Sequence, residues 1–278
     1  MSTSSDPDRA PQFDMTDREK SEVEQRIRPR AQVLHEAIRL EGEHEIRRRP
    51  SALAWSGLAA GLSMGFSLVA MGLLQAALPD APWRPLLVNL GYSVGFVIVI
   101  VARQQLFTEN TLTAVLPLLQ SPTFATGWCL VRLWAVVLAT NLFGTFLISL
   151  VLAKTEVFSP EVRAQFEALG THALAGGFGI HMLRAVFSGW LIALMVWMLP
   201  GAPSRILLIV AVTYIIGLGG LSHVIAGSVE CLYAVAAGAA TWGEYLWHFL
   251  LPVLLGNIVG GVALVAALGH AQVAADVS

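Results

Sequence analysis

Charged side chains are scarce beyond the first fifty positions, cysteine is nearly absent, and no long stretch is basic. Of 36 charged residues in the 278-residue chain, 21 fall in residues 1–50, as 10 Lys/Arg and 11 Asp/Glu, which leaves 15 for the other 228 positions. A soluble fold of that size could not cover its surface with so few, since soluble proteins are about a quarter charged. A lipid-facing fold has no such need. The net charge of −2, with no basic stripe beyond Arg47, Arg48 and Arg49, argues against a nucleic-acid partner. Cys129 and Cys231 lie in apolar runs and read as small core residues, not as a disulfide or metal pair. The chain holds no metal-ligand cluster, phosphate loop or nucleophile with a base at workable spacing, so it is not read as an enzyme and no cofactor is expected. The first fifty residues are too charged for a cleaved secretory signal, so the first apolar span is expected to serve as its own insertion signal.

What is present is hydrophobicity, at 55% of residues. Crossing a bilayer takes about 20 apolar residues per helix. Six segments qualify, at roughly 52–78, 84–118, 125–153, 174–199, 205–238 and 245–269. Turn-like separators divide them: Pro79 to Pro82, Gln120-Ser121-Pro122, a long polar loop over 154–171, Pro200 to Pro203, and Ala240 to Glu244. Ahead of them, residues 1–17 are Ser/Asp/Pro-rich and expected to be disordered. Residues 18–47 mix Val23, Ile27, Val33, Leu34, Ile38 and Leu40 with charge, interrupted by Pro29. They read equally as an amphipathic helix packed on the membrane-embedded part or as a plain solvated helix.

Arg47, Arg48 and Arg49 abut the first span, which puts the N-terminus in the cytoplasm by the positive-inside rule. Six crossings return residues 271–278 to the same side. Arg205 then faces in, and the 154–171 loop with Glu156, Glu161 and Glu167 faces out. Trp83, Trp128, Trp134, Trp197, Trp242 and Trp247 mostly sit near span ends, as interfacial aromatics do. The expected organisation is a charged tail over 1–50, a membrane domain over 51–270 and a short tail over 271–278.

The second and fifth segments are too long for one simple crossing, and both are interrupted. The second carries Arg103-Gln104-Gln105-Leu106-Phe107-Thr108-Glu109-Asn110-Thr111, and the fifth carries the run from Gly217 to Ser228, with His223 inside it. Each is the middle helix of a triplet, so the segments group as repeats over about 51–153 and 174–270. Three crossings per repeat is an odd number, so the repeats are inverted, and matching broken helices point to a transport site between them.

Leu106-Phe107-Thr108, His223 after a glycine-rich stretch, and Leu255-Gly256-Asn257-Ile258-Val259-Gly260-Gly261 resemble, in order, three motifs of the formate/nitrite transporter family. The resemblance covers about residues 50–270. The tract around Arg103 and the charged N-terminus resemble a less characterised bacterial inner-membrane branch. The resemblance implies an all-α, aquaporin-like protomer of six transmembrane helices, a homopentamer with one pore per protomer, and a small monovalent anion or weak acid as partner: formate, nitrite, hydrosulfide or a short carboxylate. It assigns Thr108 and His223 to the pore centre with Asn257 beside them, next to Leu106 and Phe107, and Tyr92, Phe96 and Ile216 to apolar constrictions. Two departures stand out. Family members often place a lysine before the fourth helix and a glutamate just before the histidine. Here the stretch from His172 to His181 has no lysine, and Ser222 precedes His223.

Moving a bare anion into low dielectric carries an idealised cost of order 20 kcal/mol, and several kcal/mol after relaxation. A narrow apolar pore must lower the charge or compensate it. Histidine titrates near neutrality, so His223 is the expected donor of a proton or a strong hydrogen bond. Free N–H groups and helix dipoles at the breaks add to it. Arg184 is a candidate vestibule charge, equally readable as paired with Glu230 or with a backbone carbonyl. Glu109 and Glu230 follow the breaks and read as caps or braces. Arg103 and Arg132 read as anchors or intersubunit pairs, and His181 and His248 as interfacial. Gly57, Gly61 and Gly65, and Gly256 with Gly260, read as close-packing faces, within or between protomers. A neutral-solute channel is the main alternative, though paired Asn-Pro-Ala signatures are missing; a non-transporting scaffold or regulator is another.

Overall fold

A computed structural model of the chain describes residues 15–19, 31–267, 269 and 271. The expected disorder of residues 1–14, the apolar positions Val23 and Ile27, the break at Pro29 and the tail over 272–278 lie outside the described residues. Among the described residues every regular element is helical. They are α1 (Ala31–Ile46), α2 (Pro50–Ala77), α3 (Arg84–Val101), α4 (Leu116–Gln120), α5 (Phe124–Lys154), α6 (Pro160–Ala173), α7 (Phe178–Met198), α8 (Arg205–Leu218), α9 (Val224–Ala237) and α10. The last runs through π-helical turns over Glu244–Leu250, an α-helical stretch over Leu251–Ile258, and π-helical turns again over Val259–Ala267.

Among the described residues five helices are long and apolar enough to cross a membrane: Pro50–Ala77, Arg84–Val101, Phe124–Lys154, Phe178–Gly201 and Glu244–Ala263. The apolar helices α8 and α9 have 14 residues each, or about 21 Å apiece, short of a hydrocarbon core of about 30 Å. The helix α2 packs on α5 and α3, α7 packs on α10, α3 on α8, and α9 on α5 and α6. The small-residue stripes are the seams of this packing, which places them within the chain. A Cβ on Gly61 would sit 2.2 Å from the Asn141 carbonyl oxygen, and one on Gly260 would sit 2.2 Å from that of Val186.

The polar stretch expected as a loop is largely a helix, α6. Proline suits the first turn, whose N–H groups have no helical partner, and Pro160 opens α6 there. The face that buries Phe166 and Gly170 docks on the bundle. Phe166 meets the rings of Phe158 and Tyr233 edge-on at 5.5 and 5.4 Å. The helix α1 is packed, not free in solvent. Ile38 is buried, the His35 ring meets Trp197, and Glu41 and Glu45 bond Arg103 and Gln105 at 2.6 and 2.9 Å. Arg132 anchors the end of α1 by donating to the carbonyls of Ile46 and Arg48.

The two interruptions end their helices in the same way. After α3, the amide of Ala102 donates to Ile98, Arg103 to Ile100 and Gln104 to Val99; after α8, Gly219 donates to Ile215, Gly220 to Gly217 and Leu221 to Ile216. The turning residue is left-handed in both, with φ of 54° at Arg103 and 58° at Gly220. Beyond the turn the chain runs irregularly to α4 on one side and enters α9 directly on the other.

Candidate functional site

Each break is held by one asparagine from a neighbouring helix. Asn257 on α10 accepts from the amide of Val224 at 2.9 Å and donates to the carbonyls of Ala185 and Ser222 and to Ser188 Oγ. Asn141 on α5 does the same for the other break. It accepts from the amide of Phe107 at 2.9 Å and donates to the carbonyls of Gly57 and Gln105. Both side chains are fully buried. Unpaired backbone groups at membrane depth cost several kcal/mol, so these amides let the chain be irregular there. Asn257 thus holds the backbone on both sides of His223. Sequence reasoning does not single out Asn141. The available signal is a shared pattern, Asn141-Leu142-Phe143-Gly144 and Asn257-Ile258-Val259-Gly260.

The breaks meet at Thr108 and His223, where Thr108 Oγ1 lies 2.8 Å from His223 Nε2. His223 is also the N-cap of α9, and its Nδ1 accepts from the amides of Ile225 and Ala226 at 3.3 and 3.2 Å. A nitrogen that accepts two amides carries no proton, so the proton of the neutral ring sits on Nε2 and points at Thr108. The threonine hydroxyl hydrogen is then free to point elsewhere. The Phe96 ring stands edge-on to His223 at 4.9 Å, and Tyr92 lies 5.4 Å from Phe96. Thr108 and His223 are each 1% exposed and Phe96 0%, so the three form a closed septum.

A cavity lies on either side of it. One, of about 480 Å³, opens by the α2–α3 connection and is lined by Tyr92, Arg84, His172, Arg184, His223 and Glu230. The other, of about 570 Å³, opens beneath α1 and is lined by Glu41, Glu45, Arg103, Glu109 and Arg205.

The remaining sequence-derived candidates fall around this centre. Leu106 is buried, and its carbonyl accepts from Asn110. Phe107 turns to the Trp134 ring at 5.7 Å. Ile216 is buried and its carbonyl closes the turn after α8. Arg184 is exposed and lines the first cavity, and it forms no ion pair with Glu230. Neither Glu109 nor Glu230 caps or braces its break: among the described residues, neither carboxyl has a hydrogen bond or ion pair, and each lines a cavity. His181 is not interfacial. It is buried, with Nδ1 3.2 Å from Ser222 Oγ. His248 is exposed. No group of three or more potential metal ligands occurs among the described residues.

Comparison with known proteins bears on this arrangement. The family model described as Formate/nitrite transporter matches residues 32–271. The chain is 46% identical over 256 residues to the Inner membrane protein YfdC of Escherichia coli (strain K12), across 92% of this chain and 83% of that protein. It is 27% identical over 238 residues to a probable formate transporter of Methanothermobacter thermautotrophicus, across 78% of this chain and 82% of that protein. The solved structure of a pentameric formate channel with formate bound superposes with a TM-score of 0.70 at 24% identity, over 80% of this chain and 97% of that one. At that identity the likeness concerns the fold.

Proposed function

The chain belongs to the formate/nitrite transporter family, and from that premise we propose that it passes a small monovalent anion, or its acid, through a pore centred on Thr108 and His223. The observation that carries this is the 2.8 Å contact between those two side chains at the junction of the broken helices, with a cavity on each side.

In this reading residues 51–270 make six crossings in two inverted repeats, over about 51–153 and 174–270. The matching turns at Arg103 and Gly220 and the matching clamps of Asn141 and Asn257 support the repeats. The interrupted pair α8–α9 supplies the crossing that neither makes alone. Residues 1–50 form a cytoplasmic tail whose helix α1 rests on the inner mouth, and 271–278 a short tail on the same side. The arginines at 47–49 support that orientation, and it makes the cavity with Arg184 the outer one. The name of the Escherichia coli relative supports a bacterial inner membrane, and the pentameric neighbour supports a homopentamer.

The centre works by hydrogen bonding. Tyr92, Phe96 and Ile216 keep the passage apolar, and Leu106 and Phe107 fix the first break behind Thr108. The anion or its acid, on reaching the septum, displaces Phe96 and meets two donors, Nε2–H of His223 and the hydroxyl of Thr108. Asn257 holds the imidazole in place through Ser222 and Val224. A neutral ring with Nδ1 engaged as a cap offers a hydrogen bond, not a spare proton. Arg184, in the outer cavity, raises the local anion concentration.

The test is flux through liposomes containing the purified chain, with formate, nitrite, hydrosulfide, acetate, lactate and glycerol compared across pH. Passage of one or more of the anions is expected. Passage of glycerol alone makes it a neutral-solute channel, and passage of nothing makes it a scaffold.

A further inference from the structure

The proposed centre leaves one requirement open. If His223 has no proton to lend, a charge that must not cross bare has to be neutralised elsewhere. Two side chains stand where that can happen. On α9, positions 223, 227 and 230 share one helical face, and all three line the outer cavity. This puts the Glu230 carboxyl two turns from the septum. Glu109 directly follows Thr108 and lines the inner cavity. Among the described residues neither carboxyl is hydrogen-bonded or ion-paired. Their surroundings are mixed. Glu230 is faced by Arg84 and Tyr92 from α3, His172 from α6, Arg184 from α7 and His223. Glu109 is faced by Glu41 and Glu45 from α1, Arg103 from its own break and Arg205 from α8. Arg84 and Arg103 are engaged with Asp80 and Glu41. An acidic side chain at membrane depth without a fixed counter-ion is a proton-relay candidate, and here one stands on each side of the same septum.

We propose that Glu230 and Glu109 are the proton-exchange groups of the pore, so that the anion and one proton cross together. The step rests on the function proposed above. The protonated Glu230 carboxyl passes its hydrogen to an oxygen of the entering anion, leaving a carboxylate in the outer cavity. The neutral acid crosses between Phe96, Thr108 and His223. On the inner side it passes the hydrogen to the Glu109 carboxylate and leaves as the anion. Water outside reprotonates Glu230, and Glu109 releases its proton to water inside. No charge is left behind, and the sequence runs in reverse under an opposite gradient.

The test uses the full-length protein in liposomes that enclose a pH-sensitive dye, driven by a formate gradient. One proton should enter per formate, at a rate independent of an imposed membrane potential. This measurement needs no variant. Glu230→Gln and Glu109→Gln should each slow uptake about tenfold or more near neutral pH. For Glu230→Gln the loss should shrink as the outside approaches about pH 4, where formic acid is itself abundant. Glu230→Asp and Glu109→Asp should retain most of the rate. Formate entering as a charge, with no acidification and a rate that follows the potential, overturns the proposal while leaving the anion pore standing. So do both glutamine variants behaving as wild type in rate and pH profile. Absence of any anion flux in the unmodified protein takes down both readings.

Discussion

His223 caps α9 with one ring nitrogen and reaches Thr108 with the other, so the donor pair can be tested from the threonine side without touching the cap. Thr108→Val keeps the shape and removes the hydroxyl. It should cut anion flux at least about tenfold, the scale of losing one donor to a buried charge. Thr108→Ser should stay close to wild type. Equal rates for the two would remove the hydroxyl from the mechanism. The asparagine clamps make a separate prediction, about stability. Asn141→Leu leaves the Phe107 amide and the carbonyls of Gly57 and Gln105 without their partner. Stability should fall by about 2 kcal/mol, read as a lower Tm in detergent. An unchanged Tm means that those groups find other partners. Asn141 shows the limit of reading residues singly. One asparagine in an apolar run looks like any buried polar group until its three backbone partners, brought from two other segments, are in place.

At the scale of elements, the breaks are legible because polar and glycine residues inside long apolar runs do not suit an unbroken membrane helix. Their geometry is not. Arg103 in a left-handed turn has no sequence signature, and holding a non-glycine residue there costs roughly 1–2 kcal/mol. Its ion pair to Glu41 and the Gln105–Glu45 bond fasten the turn to α1. At the equivalent turn glycine carries no such cost, and a Cβ on Gly220 would meet nothing within 4 Å. Gly220→Ala is therefore a purely conformational change. It should destabilise by about 1 kcal/mol, measurable by thermal unfolding in detergent, and a neutral or stabilising result would contradict the assigned φ. The helix α6 reads as a loop in sequence because its charged residues hide the start signal at Ser159 and Pro160 and the inward face of Phe166 and Gly170. The contact of His181 with Ser222 joins residues 41 apart and no local pattern announces it.

Across the whole molecule the two mouths differ in charge. The cavity by the α2–α3 connection holds Arg84, Arg184 and His172 against Glu230, whereas the one beneath α1 gathers Glu41, Glu45 and Glu109 against Arg103 and Arg205. An anion is thus drawn to one mouth more than to the other. Arg184→Gln should raise the formate concentration needed for half-maximal uptake a few-fold, and the difference should fade at about 1 M salt, where the screening length is about 3 Å. A salt-independent change would mean that Arg184 acts through packing.

The central claim is that a hydrogen-bond donor at position 223, held between two broken helices, carries a small anion or its acid through the septum. His223→Asn tests it most directly. Asparagine is a good N-cap, so α9 should stay capped and the protein should assemble and melt like wild type. Its amide is too short to take the place of Nε2 beside Thr108. Formate flux into liposomes should fall by about a hundredfold, as expected when a preorganised donor to the buried substrate oxygen is lost. Wild-type flux from a well-folded His223→Asn protein would contradict the account.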